Sequence, residues 1–250
     1  MSTPLPLTIC MITHRADKRM EQALASLPDV AEVLIFDNSS GADWSVFTTF
    51  HGFHVYTLTE PITDFAAIRN QALSMAEHDW VLFIDSDEVI TPESFTALTT
   101  FCENPHGQAA SVVRSDVFYG KKLQYGEAGN QPLVRLCNKH FCAFTGAVHE
   151  RAVVKGSIVQ SGITLEHYSH TSISEFIATV SVYAQLLGRQ KKASKKQLVF
   201  EMLTFPLGKL YYGLVIQGGF LDGWRGIVYA ACMSLHSLLV RVYAYEAHYL

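Results

Sequence analysis

The sequence holds 250 residues, with 19 Lys and Arg against 23 Asp and Glu, so its formal net charge is −4. At about 100–200 residues per domain this is one ample domain, or a domain with an appendage. Hydrophobic residues at 49% against 17% charged residues exclude a chain that stays disordered. The acidic total also lacks the basic field on which non-specific nucleic-acid binding depends, so no nucleic-acid partner is expected.

The first third alternates strand-like and helical patterns. Leu7 to Ile12 is an apolar run, and Met20, Ala23, Leu24 and Leu27 follow at helical spacing. Glu32 to Phe36 and Phe53 to Leu58 read as the next two strands. Asp64 is placed to cap a helix with Phe65, Ile68, Ala72 and Ala76 on its apolar face, before the fully apolar strand Trp80 to Ile84. Thr91 and Pro92 then read as an N-cap and first helical residue, with Phe95, Leu98 and Cys102 turned inward. Such alternation predicts a mostly parallel sheet covered on both faces.

Beyond Gln108 the pieces become shorter and strand-like: ASVVRSDVFYG, GKKL, QPLVRLC, ERAVVKG and ITLEHYS. They suggest a smaller mixed or antiparallel region. Ser172 and Glu175 form a capping box for a helix striped by Phe176, Ile177, Val180, Tyr183, Ala184 and Leu187. A basic cluster, Arg189 to Lys196, opens an aromatic and apolar tail, giving expected bounds of 1–188 for a catalytic domain and 189–250 for a helical extension. The tail's uncharged stretch, Gly226 to Val240, is shorter than the roughly 20 residues a membrane span needs. It is predicted to lie on an anionic membrane surface, or to pack on protein, the catalytic domain or another copy of the chain.

The five cysteines, Cys10, Cys102, Cys137, Cys142 and Cys232, are odd in number and scattered, and MSTPLPLTIC has no basic start followed by an apolar core. A reducing, cytoplasmic setting is therefore expected. Cys137 and Cys142 stand near His140 and His149, but no second pair at zinc-finger spacing follows, so buried thiols are the expectation.

The sharpest chemical signal is WVLFIDSDEVI, where Asp85 and Asp87 follow an apolar strand. Ligands of open α/β sheets bind beyond the carboxyl ends of strands, so two carboxylates there suit a cation and its phosphates; the competing reading is an acidic turn in water. Other strand ends are polar as well: Thr13, His14 and Arg15 after the first, and Asp37, Asn38, Ser39 and Ser40 after the second. Together they describe a cleft. Arg69 and Asn70, early in a predicted helix, add a cation for phosphate or else form a solvated helix face.

These segments, LTICMITHR, EVLIFDNSSGAD, FAAIRNQAL and WVLFIDSDE in that order, resemble the family 2 glycosyltransferases of GT-A fold. LVRLCNKHFCAFTGAVHE, the His of LEHYSH and GGFLDGWRG with its apolar tail are similar to the bacterial lipopolysaccharide-core β-glucosyltransferase branch. His14 and DNSSGAD depart from the commoner Lys or Asn and DSGSTD of that family. The resemblance implies an α/β, Rossmann-like nucleotide-sugar domain with a mixed sheet and a C-terminal helical tail. It gives Thr13, His14, Asp37, Arg69, Asp85, Ser86 and Arg135 to the UDP-sugar, with Asp37 at the uracil. Asp87, Asp85 and His167 become ligands of Mg2+ or Mn2+, and Glu150 becomes the general base, with His149 as the other candidate or as its orienting partner. The implied reaction is inverting transfer of a hexose, glucose first, from a UDP-sugar to a lipid-linked glycan such as a lipopolysaccharide inner core. The implied setting is cytoplasmic, peripheral on the inner membrane, with self-association through the tail.

Two other classes compete. The run ending in Asp85 and Asp87 also fits a haloacid-dehalogenase-type phosphatase, but long sequence precedes it and no later acidic pair for Mg2+ follows Glu150. A non-catalytic membrane scaffold is opposed by the survival of Asp85, Asp87, His149 and Glu150 together.

Overall fold

The structure, a computed structural model, describes residues 3–14, 16–39, 42–44, 52–146 and 150–250. In chain order it runs β1 (Leu5–Thr13), α1 (Lys18–Ala25), β2 (Val30–Asp37), β3 (Phe53–Thr57), α2 (Phe65–Met75), β4 (Trp80–Asp85), β5 (Glu88–Ile90) and α3 (Pro92–Glu103). There follow β6 (Ala109–Phe118), β7 (Lys121–Lys122), β8 (Gln131–Asn138), β9 (Cys142–Thr145), β10 (Arg151–Val154), β11 (Ile158–His167), α4 (Ile173–Gln190), α5 (Lys195–Tyr211) and α6 (Trp224–Tyr249). The chain divides into two compact units, Met1–Arg114 with Pro132–His167, and Ser115–Gln131 with Tyr168–Leu250. This division falls after β11, not at 188/189, because α4 shares its buried face with α6.

In the first unit the strand order is β3-β2-β1-β4-β8-β6-β11-β5. β1, β2, β3 and β4 are parallel neighbours, as their apolar runs predict, and β8 adds antiparallel to β4. Successive side chains leave opposite faces. Leu7, Ile9, Met11, Leu82 and Ile84 therefore share one core with Met20, Ala23 and Leu24 of α1 and with Leu98 and Phe101 of α3. Cys10, Ile12, Val81 and Phe83 share the other with Ala66, Ala72 and Leu73 of α2. The inward face of α3 is thus Ser94, Leu98 and Phe101, with Phe95 and Cys102 only partly buried. The pieces beyond Gln108 do not form a separate sheet region: β6, β8 and β11 extend the parallel block into one mixed sheet, while β9 and β10 make a small antiparallel pair.

β5 lies at the far end of that order, paired antiparallel to β11, although Glu88 comes only three residues after Asp85. Three residues reach about 10 Å at most, whereas four strand steps on a flat sheet would need about 19 Å. The sheet is therefore curled, with β5 turned back toward the end of β4, and the acidic turn bridges the two.

In the second unit α4 and α5 pack on α6. Phe176 and Val180 of α4 and Cys232 of α6 share a small core with Phe118, Leu123 and Ala128. Asp222 of the GGFLDG segment is buried and accepts the backbone N–H groups of Gln124 and Tyr125 at 3.0 and 2.9 Å. The glycines around it, Gly218 at φ 71° and Gly223 at φ 68°, adopt the left-handed backbone the turn requires. The segment that carried much of the resemblance is thus a structural clasp. Buried Glu201 joins the three helices, accepting from Lys191 at 3.0 Å, Gln197 at 2.9 Å and Arg241 at 3.1 Å.

The uncharged stretch Gly226 to Val240 continues as helix beyond the charges at Arg225 and Arg241. By length and composition alone, both Lys195–Ile216 and Trp224–Tyr249 are long and apolar enough to cross a membrane, with mean hydropathy 1.2 and 1.5. The sequence-based expectation of a tail too short to span rested on that stretch alone.

Candidate active site

Strand register brings the polar strand ends together. Thr13 lies opposite Asp37, Asp37 opposite Thr57, and Ile12 opposite Asp85, so four adjacent parallel strands finish within one residue of the same level. The Asp37 carboxylate is held from both sides, accepting the Ser39 backbone N–H and the Trp44 indole N–H, each at 2.7 Å. The Asn38 amide donates to the carbonyls of Leu58 and Glu60 at 2.9 Å, tying the exit of β2 to the exit of β3. Thr13 is fully buried and His14 is exposed. Arg15, Ser40 and His149 lie outside the described residues.

The acidic turn is no solvated loop. Asp85 ends β4 and receives Arg135 from β8 through both oxygens, at 3.3 and 2.6 Å, and Arg69 from α2 at 3.1 Å. Burial opposes its ionisation, but Arg135 and then Arg69 hold its carboxyl well below the usual carboxylate range. Glu88, fully buried, accepts the Asp85 backbone N–H at 3.0 Å. Its other oxygen faces Arg135 at 3.7 Å and Arg114 at 3.9 Å. Burial pushes the Glu88 carboxyl up, against the pull of Arg135. Ser86 is buried within the same turn.

Asp87 faces the other way. The antiparallel register of β5 and β11 sets His167 opposite Glu88, which leaves His167 Nε2 3.6 Å from Asp87 Oδ1. Ligands about 2.1 Å from a six-coordinate cation lie about 3 Å apart when adjacent, so this pair, at 3.6 Å, would have to close by about 0.6 Å to take adjacent positions on Mg2+ or Mn2+. Asp85 differs from the sequence expectation, since two guanidinium groups occupy its oxygens. Among the described residues no group of three or more His, Cys, Asp or Glu side chains converges. A bound cation would therefore complete its shell from water and from diphosphate oxygens.

Glu150 stands just before β10. Arg69 reaches it with Nε at 3.0 Å, so one guanidinium joins Glu150 to Asp85. α2 is fixed to β9 by a reciprocal pair in which the Asn70 amide donates to the Phe144 carbonyl at 2.9 Å and accepts the Phe144 N–H at 2.8 Å. Glu150 lines a cavity of about 280 Å³ with Arg69, Arg135, Arg151, Leu133 and Phe144. Asp85, Asp87, Arg69, Arg135, Glu150 and His167, singled out from sequence, thus fall on one edge of the curled sheet. Glu88, Arg114 and Trp44 were missed; only Glu88, third in the acidic run, gave a signal in the sequence.

The chain spans 30% of the length of a TPR repeat-containing protein of Synechococcus elongatus, to which it is 30% identical over 131 residues, or 52% of this chain. It is 26% identical over 238 residues to an uncharacterised glycosyltransferase of Rickettsia typhi, covering 87% of this chain and 79% of the relative. A Staphylococcus aureus TarS structure (residues 1–349 in complex with UDP) aligns with TM-score 0.48 and 15% identity, covering 95% of this chain and 90% of that one. The model for glycosyl transferase family 2 matches residues 8–158, a stretch that contains every strand end of the cleft, the acidic turn and Glu150. With that match over more than half its length, on a curled α/β sheet of GT-A type, the chain belongs to glycosyl transferase family 2.

Proposed function

We propose that this protein is an inverting, metal-dependent hexosyltransferase that moves glucose from UDP-glucose to a lipid-linked glycan of the lipopolysaccharide inner-core type. The observation that carries this reading is the alignment of Thr13, Asp37 and Asp85 at three parallel strand ends beside the Asp87 and His167 pair. Asp37, with both oxygens oriented by N–H donors, is suited to accept the uracil N–H. Thr13 and Ser86, both buried, would support the nucleoside side from beneath, and exposed His14 would contribute at the rim. Asp85, fixed by Arg135, offers its carboxylate to the ribose hydroxyls. Asp87 and His167 would hold the divalent cation, which when bound offsets the charge growing on the departing diphosphate.

The acceptor hydroxyl oxygen forms a bond to the anomeric carbon as the carbon–oxygen bond to the diphosphate breaks. The electron pair leaves with UDP, and the hydroxyl proton passes to Glu150. His149 is the other group in AVHE able to take that role. Asp85 is poorly suited to the nucleophilic role a phosphatase would demand, because both its oxygens are engaged by guanidinium groups.

For the second unit we propose peripheral attachment to an anionic cytoplasmic membrane surface. Phe200, Leu203, Leu207 and Tyr211 recur along one exposed side of α5, and Lys192, Lys195 and Lys196 stand at its start. Self-association through the same apolar side is the competing occupant.

The deciding experiment measures UDP release and donor binding with UDP-glucose, UDP-galactose and UDP-N-acetylglucosamine, with and without Mn2+. Cation-dependent binding that disappears in Asp87→Ala is the expected result. Binding of all donors equally well without a cation, and unchanged in Asp87→Ala, would remove the metal-dependent reading. Donor binding without any release of UDP in the presence of an acceptor would favour the scaffold.

A further inference from the structure

We propose that Arg69 is a positioning residue that acts through Glu150, rather than a cation for the donor diphosphate. This rests on the reading of Glu150 as the general base. Arg69 is 3% exposed, and its guanidinium carbon lies 5.1 Å from the Phe83 ring centre and 5.6 Å from that of Phe144, two rings that meet edge to face at 5.0 Å. A cation buried beside two aromatic rings is strongly disfavoured unless carboxylates meet it. Two do: Nε donates to Glu150 Oε1 at 3.0 Å and Nη2 to Asp85 Oδ1 at 3.1 Å. The planar fork fixes the angle between these bonds, which a flexible ammonium cannot do.

The consequences are geometric. Asp85 is itself immobilised by Arg135 at 2.6 Å, so it serves as the fixed point from which Arg69 holds Glu150. One oxygen of Glu150 is thereby fixed, and Oε2 takes no hydrogen bond among the described residues. A diphosphate seeking Arg69 would have to compete with two carboxylates already in hydrogen-bond range. The acceptor base and the donor carboxylate are instead held in one rigid frame, across elements far apart in sequence.

The test compares Arg69→Lys, Arg69→Gln, Glu150→Gln and the Arg69→Lys/Glu150→Gln double variant. Steady-state kinetics would be read alongside calorimetric binding of UDP and of uridine. Loss of a general base costs about 10²–10⁴ in rate, and Arg69→Lys should lower kcat at least about tenfold. The affinity for UDP should stay within about twofold, because the residue does not meet the diphosphate. The double variant should turn over no more than about threefold more slowly than Glu150→Gln alone, since residues acting as a unit are not additive.

A tenfold loss of UDP affinity with uridine binding unchanged would overturn the proposal in favour of a phosphate contact. Multiplicative losses in the double variant would overturn it as well, while leaving Glu150 as the base. If Glu150→Gln itself keeps wild-type turnover, the underlying reading falls and this proposal with it. Arg69→Gln leaves Glu150 without its cation and Asp85 with Arg135 alone, and tests folding; Arg69→Lys keeps the charge beside the two rings and carries the kinetic result.

Discussion

Asp85 and Asp87 are two residues apart, yet the end of β4 between them gives each a different fate. Asp85 still belongs to the strand and meets the arginines that β8 and α2 supply; Asp87 lies beyond it, beside the start of β5 and 3.6 Å from His167. The spacing alone treated the two alike, because nothing local shows that Arg69 and Arg135 converge on the first. The sign of the resulting pH dependence follows from the depressed carboxyl of Asp85. A carboxylate stabilised in the folded state contributes stability that is fully present above its unfolded value, near 3.8, and is lost as pH falls toward the lower folded value. The stability difference between wild type and Asp85→Asn, measured by urea unfolding, should therefore be constant at neutral pH. It should shrink as pH falls below about 4. A difference that widens on acidification would contradict the ion-pair assignment.

At the scale of elements, periodicity located α4 but misjudged its face. The stripe Phe176, Ile177, Val180, Tyr183, Ala184 and Leu187 becomes, in the structure, Phe176, Val180, Ala184 and Gly188, four positions each one helical turn apart. Ile177 and Tyr183 are exposed. Gly188 escaped notice because a missing side chain carries no hydrophobic signal, although α6 comes close there. A Cβ there would lie 2.7 Å from Tyr243 Cβ and 2.9 Å from both the Ala244 nitrogen and the Val240 carbonyl oxygen. Gly188→Val should therefore cost about 1–3 kcal/mol through overpacking. Gly208 in α5 has nothing within 4 Å of an added Cβ, so Gly208→Ala should gain about 0.5–1 kcal/mol from helix propensity alone. Thermal unfolding of the two variants checks both signs, and a stabilised Gly188→Val would mean that α4 and α6 do not meet there.

For the whole molecule, the parallel block was legible because β1, β2 and β4 are buried on both faces and read as largely apolar runs, as in WVLFI. The joining of β6, β8 and β11 to that block was not legible, since pairing partners in a mixed sheet are set by tertiary packing rather than by local pattern. The helices of the second unit pose the reverse difficulty: their composition was plain, and their surroundings were not. Only 17% of the apolar window in Lys195–Ile216 is buried, so the packing that usually explains an apolar helix does not account for α5. If an anionic bilayer covers that side, charge and apolar area should separate experimentally. Lys191 must be spared, because it pairs with buried Glu201 and its loss would disturb the helix junction. Replacing Lys192, Lys195 and Lys196 with Gln removes three cations worth about 1 kcal/mol each near an anionic surface. Sedimentation with phosphatidylserine vesicles should weaken, and what binding remains should depend less on salt. Replacing Phe200, Leu203 and Leu207 with Ser should weaken binding while leaving the salt dependence in place. Vesicle binding unchanged in both sets, with a concentration-dependent dimer lost in the Ser set, would show instead that a second copy of the chain covers α5.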